Sequence, residues 1–600
     1  MDAIKKREEI DEQFKWDLED IFATDDAWRE AFDSVPALLA HVESYKARLT
    51  ESAETLFVAL SEVMVLSEIT GRLYVYAQMR FHQNERDEMY QAMSGEADMM
   101  AARVRTGTSF ITPEILDTES AVLDGYLQNE PLLAVYRHYF EELTSLRDHR
   151  LPAEQEELMA LAAETMDAPE QIAQMLRNAD MQFGTIEDEN GELSTLTAER
   201  FIVFMEKENR DVRKRAYTRM YETYRSYKNT FASAYAGRVK AAVFNARARK
   251  YASCLDASLA ENHIPTAVYR NLIDAVHESL PLLHRYMRLR KKCLGVDELH
   301  MYDVYTPIVK DASMHIPFEE AKGIVLEALA PMGAAYTALL QKGFSERWID
   351  VYENEGKHSG AYSWGAYGTK PYVLLNYQDT LDDMFTLAHE MGHSLHSWYT
   401  RVSQPYVYAD YPIFLAEIAS TVNESLLMQH MLRISKDKKE RAYLLNKFVE
   451  QFRTTFFRQT MFAEFELLTH EMMENETPLT AAELSGLYRK LNEQYYGADM
   501  VYDDLIENEW MRIPHFYYQF YVYQYATGFA AAIAFSKQIR GGGEAVAQYQ
   551  TLLSGGSADY ALPIAQKAGV DMSKPDFIRA AMDVFASLLA ELENVMEEVG

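Results

Sequence analysis

The chain is predicted to fold as a mainly α protein carrying one small β-sheet. Three observations predict this. Only 26 Gly and 17 Pro punctuate 600 residues, which favours long helices over many short strands. Apolar residues recur at steps of three and four through long stretches, the helical period. Strand-like text is confined to two short regions. With 48% hydrophobic residues the interior is large, and the length calls for two or more subdomains.

The helical reading begins with LFVALSEVMVLSEITGRLYVYAQMRF (56–81) and continues in ADMMAARVRTGTSFITPEIL (97–116), which breaks near Thr112-Pro113. The first non-helical signal is MQFGTIEDENGELSTLT (181–197). There Asn190-Gly191 separates two short β-prone runs, a hairpin signature. Thr197 is an N-cap for a helix beginning at Ala198. A subdomain boundary is placed here, giving an N-terminal helical part, 1–197, and a second part, 198–600. Helical text resumes to about residue 343. Its Met, Phe and Tyr stripes, as in 199–227, are core faces.

A compact sheet is expected over 347–378. RWIDVYE (347–353) and PYVLLNY (371–377) are the strands, and the Gly- and Ser-rich NEGKHSGAYSWGAYGTK between them reads as turns and loops. The edge of PYVLLNY is a place where an extended peptide could add as a further strand. Asp379 and Thr380 then cap a helix with Asp382 and Asp383 in its first turn. Further helices follow, with Gly-rich breaks in 541–569.

Charge and composition exclude several classes. The formal net charge is −33 and the pI about 4.9, so nucleic acid and anionic membrane are discounted as partners. No dinucleotide-binding glycine pattern follows a strand. No run approaches the roughly 18 apolar residues that span a bilayer. The first residues are charged and lack the apolar core of a signal peptide. Two cysteines, Cys254 and Cys293, fit a reducing compartment. The expected location is the cytoplasm.

The capped helix carries TLAHEMGHSLHSWY (386–399). His389 and His393 are four apart and project from one face, about 6 Å apart along the axis. Two imidazoles so placed can share one cation, and neutral imidazole suits zinc. Glu390 is turned aside by about 100°, placed to act as a general base beside the metal rather than as a ligand. His396 reads as support or packing, because one short face does not readily aim three imidazoles at one ion. A third ligand is better supplied by a second helix, started by Tyr411-Pro412. Its apolar face includes Glu417 and, two turns on, Glu424. One of these carboxylates should ligate, and the other could hold a ligand imidazole by its second ring nitrogen.

LAHEMGHSLH followed by FLAEIASTVNE resembles oligoendopeptidase F, in the thimet oligopeptidase and neurolysin group of zinc metallopeptidases. KWDLEDIF (15–22) and RIPHFYYQFYVYQYATG (512–528) are similar to the same branch. The resemblance implies an elongated helical body with a deep central channel, one Zn2+ at its floor, and oligopeptide substrates cleaved internally. Folded proteins would be excluded by the channel's narrowness. By position it makes His389, His393 and Glu417 the metal ligands and Glu390 the general base. It also implies a histidine and tyrosines near the scissile bond. His515 matches, and Tyr521 and Tyr523 are the favoured tyrosines. An exopeptidase on the same metal, or a peptide-binding protein with a structural metal, are the competing readings. The first lacks a motif for a substrate terminus, and the second leaves Glu390 without a role.

Overall fold

The computed structural model describes residues 4–309 and 314–599. It is mainly helical, and its strands hold only two or three residues each. The 56–81 pattern lies within a helix Ala53–Gln83, started by the Ser52 side chain accepting from the Thr55 N–H. The 97–116 pattern is two helices, Glu88–Thr108 and Ile111–Asp117. Their break falls at Ser109-Phe110, ahead of the proline. Pro113 sits in the first turn of the second helix, where a backbone N–H has no helical partner to lose.

β1 (Thr185–Glu187) and β2 (Leu193–Thr195) pair antiparallel as the expected hairpin, with Gly191 at φ +80°. The Asp188 side chain accepts from the Asn190 and Glu192 N–H groups and closes the turn. Thr197 caps the helix that follows, Ala198–Met205. β3 (Leu299–His300) pairs parallel with β7 (Met500–Val501), a contact the sequence pattern did not announce.

The sheet beside the motif helix has three strands: β4 (Ile349–Asp350), β5 (Tyr362–Trp364) and β6 (Tyr372–Leu374). Their order is β4-β6-β5, with β4 parallel and β5 antiparallel to β6. Two expectations are corrected here. The Gly- and Ser-rich stretch contributes a strand, β5, because Tyr362 and Trp364 are β-prone residues, two apart, inside it. And β6, the strand of PYVLLNY, is central with both edges paired, so the outer strand on the Gly-rich side is β5.

The described residues divide into two compact units that interleave along the chain. The first comprises Met1–Asp148, Ser313–His430 and Phe535–Val570, and the second His149–Ala312, Met431–Ala534 and Asp571–Gly600. The hairpin lies inside the second unit.

The core of the first unit is built on the helix Ala53–Gln83. Trp28 is fully buried against it, its indole N–H donating to the Leu73 carbonyl at 2.9 Å, and Tyr372 and Leu374 of β6 join the same cluster. Asp350 on β4 is wholly buried. Burial alone would raise its carboxyl, but Lys357, at 2.7 Å, and Arg7 hold it below the usual carboxylate range. The second unit has its own buried carboxylate, Glu509, which accepts from Arg458, Tyr221 and Tyr488 at 2.6–2.9 Å. A buried charge of this kind is tolerable only with such partners.

Candidate metal centre

The motif lies on a helix Leu381–Ser403, the histidine helix. Thr380 and Asp383 form a reciprocal capping box at its start, which satisfies two otherwise orphaned backbone donors. Asp379, just outside, turns the chain with φ +59°. The next helix, Ile413–Ile434, begins just after Pro412 and is the glutamate helix.

Gly392 explains how closely the two helices meet. A β-carbon there would stand 2.6 Å from the Ser420 Cα and 2.8 Å from the Ala419 carbonyl oxygen. The glutamate helix thus rests its backbone on the bare side of the histidine helix. Asn423, fully buried, fastens the pair: its amide donates to the Ala388 carbonyl at 3.1 Å and its oxygen accepts from the Tyr336 hydroxyl at 2.9 Å.

This contact carries Glu417 to the two imidazoles. Glu417 Oε2 is 3.5 Å from His389 Nε2 and 3.4 Å from His393 Nε2, and the two Nε2 atoms are 3.2 Å apart. The donor atoms of all three residues lie within 4.8 Å of one another. Two imidazole nitrogens and one carboxylate oxygen are the donor set of a catalytic zinc site, with the fourth position left to water or substrate. The residues present fit that ion.

The surroundings tune these groups. His389 Nδ1 lies 2.5 Å from Glu424 Oε1, the contact that orients a ligand imidazole and fixes its tautomer. Burial disfavours a charge on His389, but the Glu424 hydrogen bond and charge outweigh it and lift the imidazole to about 9. A bound cation competes with that proton. A hydrogen bond with His393 holds Glu417 down to about 2, against the effect of burial. Ser420 Oγ adds a bond to Glu417 Oε2 at 3.0 Å. Glu390 is 7% exposed. Burial raises its carboxyl, and the charges of His389 and His393 pull the other way, the environment a general base requires.

His396 stands apart from the donor set. Its ring is wholly buried and lies flat on Tyr411, centroids 3.6 Å apart, and burial lowers it to about 3. It packs the start of the glutamate helix against the histidine helix.

His515 and the tyrosines occupy the second unit. His515 is half-buried, and burial lowers its imidazole. The rings of Tyr518, Tyr521 and Tyr525 surround it at centroid distances of 5.8, 6.4 and 6.0 Å. Tyr523 is 2% exposed and packs on Tyr269 at 5.0 Å. The helix Tyr523–Gly541 begins at this residue, so its ring turns toward the core while Tyr525 turns toward His515. The i,i+4 spacing of Tyr521 and Tyr525 across that helix start was the available signal. The loop between is strained, with Gln519 at φ +46° and Phe520 at φ +56°. It is anchored by the Phe520 N–H, which donates to the buried Glu466 at 2.5 Å.

A mainly helical scaffold bearing this His-Glu-His turn, with a carboxylate delivered by the next helix, defines the class of metallopeptidases. Comparison with known proteins narrows the class. Peptidase family M3 matches residues 203–584, and Oligopeptidase F matches residues 114–183. The oligopeptidase PepF of Bacillus subtilis is 46% identical, covering 99% of this chain and 89% of that protein. An oligoendopeptidase F homolog of Lactococcus lactis is 42% identical over 99% of both. The crystal structure of oligoendopeptidase-F from Enterococcus faecium matches with a TM-score of 0.73 at 39% identity, covering 96% of this chain and 99% of that one. A crystal structure from Chlamydophila abortus gives 0.94 at 36%, covering 99% and 100%. The chain belongs to peptidase family M3, as an oligoendopeptidase F. It is a metalloendopeptidase acting on peptides. Among the described residues no helix is long and apolar enough to cross a membrane.

Proposed function

We propose that this chain hydrolyses internal bonds of short peptides using one Zn2+ held by His389, His393 and Glu417, with Glu390 as general base. The observation that carries this reading is the convergence of the three donor atoms within 4.8 Å, beside a buried carboxylate one residue from the first ligand. When bound, zinc supplies Lewis acidity, polarising the substrate carbonyl and making a water acidic enough to lose a proton near neutral pH.

The chain's own residues do the rest. Glu390 takes the proton from the attacking water and returns it to the leaving amine. Its raised proton affinity suits both steps. Glu424 accepts from His389 Nδ1–H and so keeps the Nε2 lone pair for the ion. His515 and Tyr521 are proposed as hydrogen-bond donors to the substrate oxygen that becomes negative, a contribution of several kcal/mol in such sites. Tyr525 shares their cluster. An extended peptide would lie along the outer edge of β5, bound mainly through its backbone, which reads little side-chain identity. Size exclusion of folded proteins by a narrow channel belongs to the same proposal, as does a cytoplasmic location for a chain with two free thiols, Cys254 and Cys293.

The test is Glu390→Gln assayed on an internally quenched, end-blocked peptide. The variant is expected to keep zinc and lose turnover by more than about a thousandfold. Chelation should silence the wild type and zinc should restore it. Unchanged turnover in Glu390→Gln would refute the mechanism, and loss of cleavage on end-blocking would favour an exopeptidase.

A further inference from the structure

A second group of metal-binding side chains gathers in the first unit. His82 lies in the last turn of the helix Ala53–Gln83, Glu85 follows that helix, and His358 precedes β5. One donor atom from each lies within 4.8 Å of the other two. His358 Nδ1 is 2.6 Å from Glu85 Oε1, and the rings of His82 and His358 stack with centroids 4.4 Å apart.

The two segments are registered by their backbones. The His358 N–H donates to the His82 carbonyl at 3.0 Å, and the Glu85 N–H to the Gly356 carbonyl at 2.7 Å. The Asn354 amide donates to the Gln83 carbonyl at 3.0 Å. Gly356, at φ +75°, permits this closeness: a β-carbon there would stand 2.2 Å from the Asn84 side-chain oxygen. The three donors are thus held together by main-chain bonds, not by the chance meeting of long side chains.

His82 also has the outer contact of a metal ligand. The Tyr362 hydroxyl of β5 sits 2.8 Å from its Nδ1; in the tautomer whose Nδ1–H donates to that oxygen, Nε2 is the coordinating atom. The net charge of −33 raises the cation concentration at the surface.

From these contacts we propose a second divalent-cation site at His82, Glu85 and His358, of the mixed nitrogen and oxygen type that zinc, nickel and copper(II) occupy. The rings lie nearly parallel, 22° apart, so one must turn before both lone pairs meet one ion. The His358 side chain is 41% exposed and is the one with room to do so. That reorganisation makes this the weaker of the two sites.

The experiment is equilibrium dialysis of the full-length protein against Zn2+, with metal counted per chain. The wild type is expected to bind two equivalents, and His358→Gln and Glu85→Gln to keep the tight one and weaken the second by at least about tenfold. Retention of the tight equivalent reports that these variants are folded. Glu417→Gln should show the reverse, weakening the tight equivalent and leaving the second, so the two sites fail separately. A wild type that stops at one equivalent, or a second equivalent indifferent to both His358→Gln and Glu85→Gln, overturns the proposal.

Discussion

Gly392 and Ser420 touch backbone to side-chain-free face: the place a β-carbon would take on residue 392 is 2.6 Å from the Ser420 Cα. Real side chains do not tolerate that distance. The contact sets how far the glutamate helix lies from the histidine helix, and hence the 3.4–3.5 Å between Glu417 and the two imidazoles.

Gly392→Ala must therefore push the helices apart. A single methyl in so tight a contact costs about 1–3 kcal/mol, and the displaced carboxylate leaves a two-ligand site. Zinc affinity, measured by chelator competition, is expected to fall by more than about tenfold, together with a lower Tm. Wild-type affinity in this variant would mean that the helix spacing does not govern the centre.

Glu424 is proposed to act on the metal through its contact with His389. Glu424→Gln replaces a charged acceptor by a weaker one at a 2.5 Å contact. Zinc affinity is expected to drop by about 10- to 100-fold while the circular dichroism spectrum is unchanged. Glu417→Gln should cost more, because it removes a ligand outright. An order of effect reversed between the two would exchange their roles.

The tyrosines separate by burial. Tyr521→Phe, beside His515, is expected to lower kcat by about 10- to 100-fold with KM and Tm little changed. Tyr523→Phe changes a ring buried against Tyr269 and should leave kcat within about twofold, its effect appearing in thermal stability. Equal losses of kcat in both variants would count against this assignment.

Glu466 makes stability depend on pH. Burial raises its carboxyl to about 8, whereas in the unfolded chain it titrates near 4.5. A raised carboxyl is an advantage to the fold below the unfolded value, and the advantage is lost as pH rises toward the folded one. The contribution is on the order of 1.4 kcal/mol per pH unit over that window. Glu466→Gln keeps an oxygen for the Phe520 N–H and cannot ionise. Its Tm should gain on that of the wild type steadily from pH 5 to pH 8, and parallel curves would show that Glu466 ionises without penalty.

The sequence was most legible where function depends on neighbours along the chain. The spacing of His389 and His393, the Thr380 cap, the Asn190-Gly191 turn and the Thr197 cap are all set within one or two turns of backbone. The β5 strand was hidden because two β-prone residues among glycines and serines are too few to outweigh their flanks. The central place of β6 was hidden because both of its partners come from other segments. Tyr523 and Tyr525 look alike in a tyrosine run, and only the point where the helix begins sends one ring to the core and the other toward His515.

Sequence alone, then, determined the helical character of the chain and the pair of imidazoles on one helical face with a carboxylate beside them, because a helix fixes rise and rotation per residue whatever surrounds it. Tertiary structure alone decided that Glu417 reaches both Nε2 atoms while Glu424, seven residues on along the same helix, meets the far side of His389. That choice rests on the depth to which one helix settles on another, which here is the width of a missing side chain at Gly392.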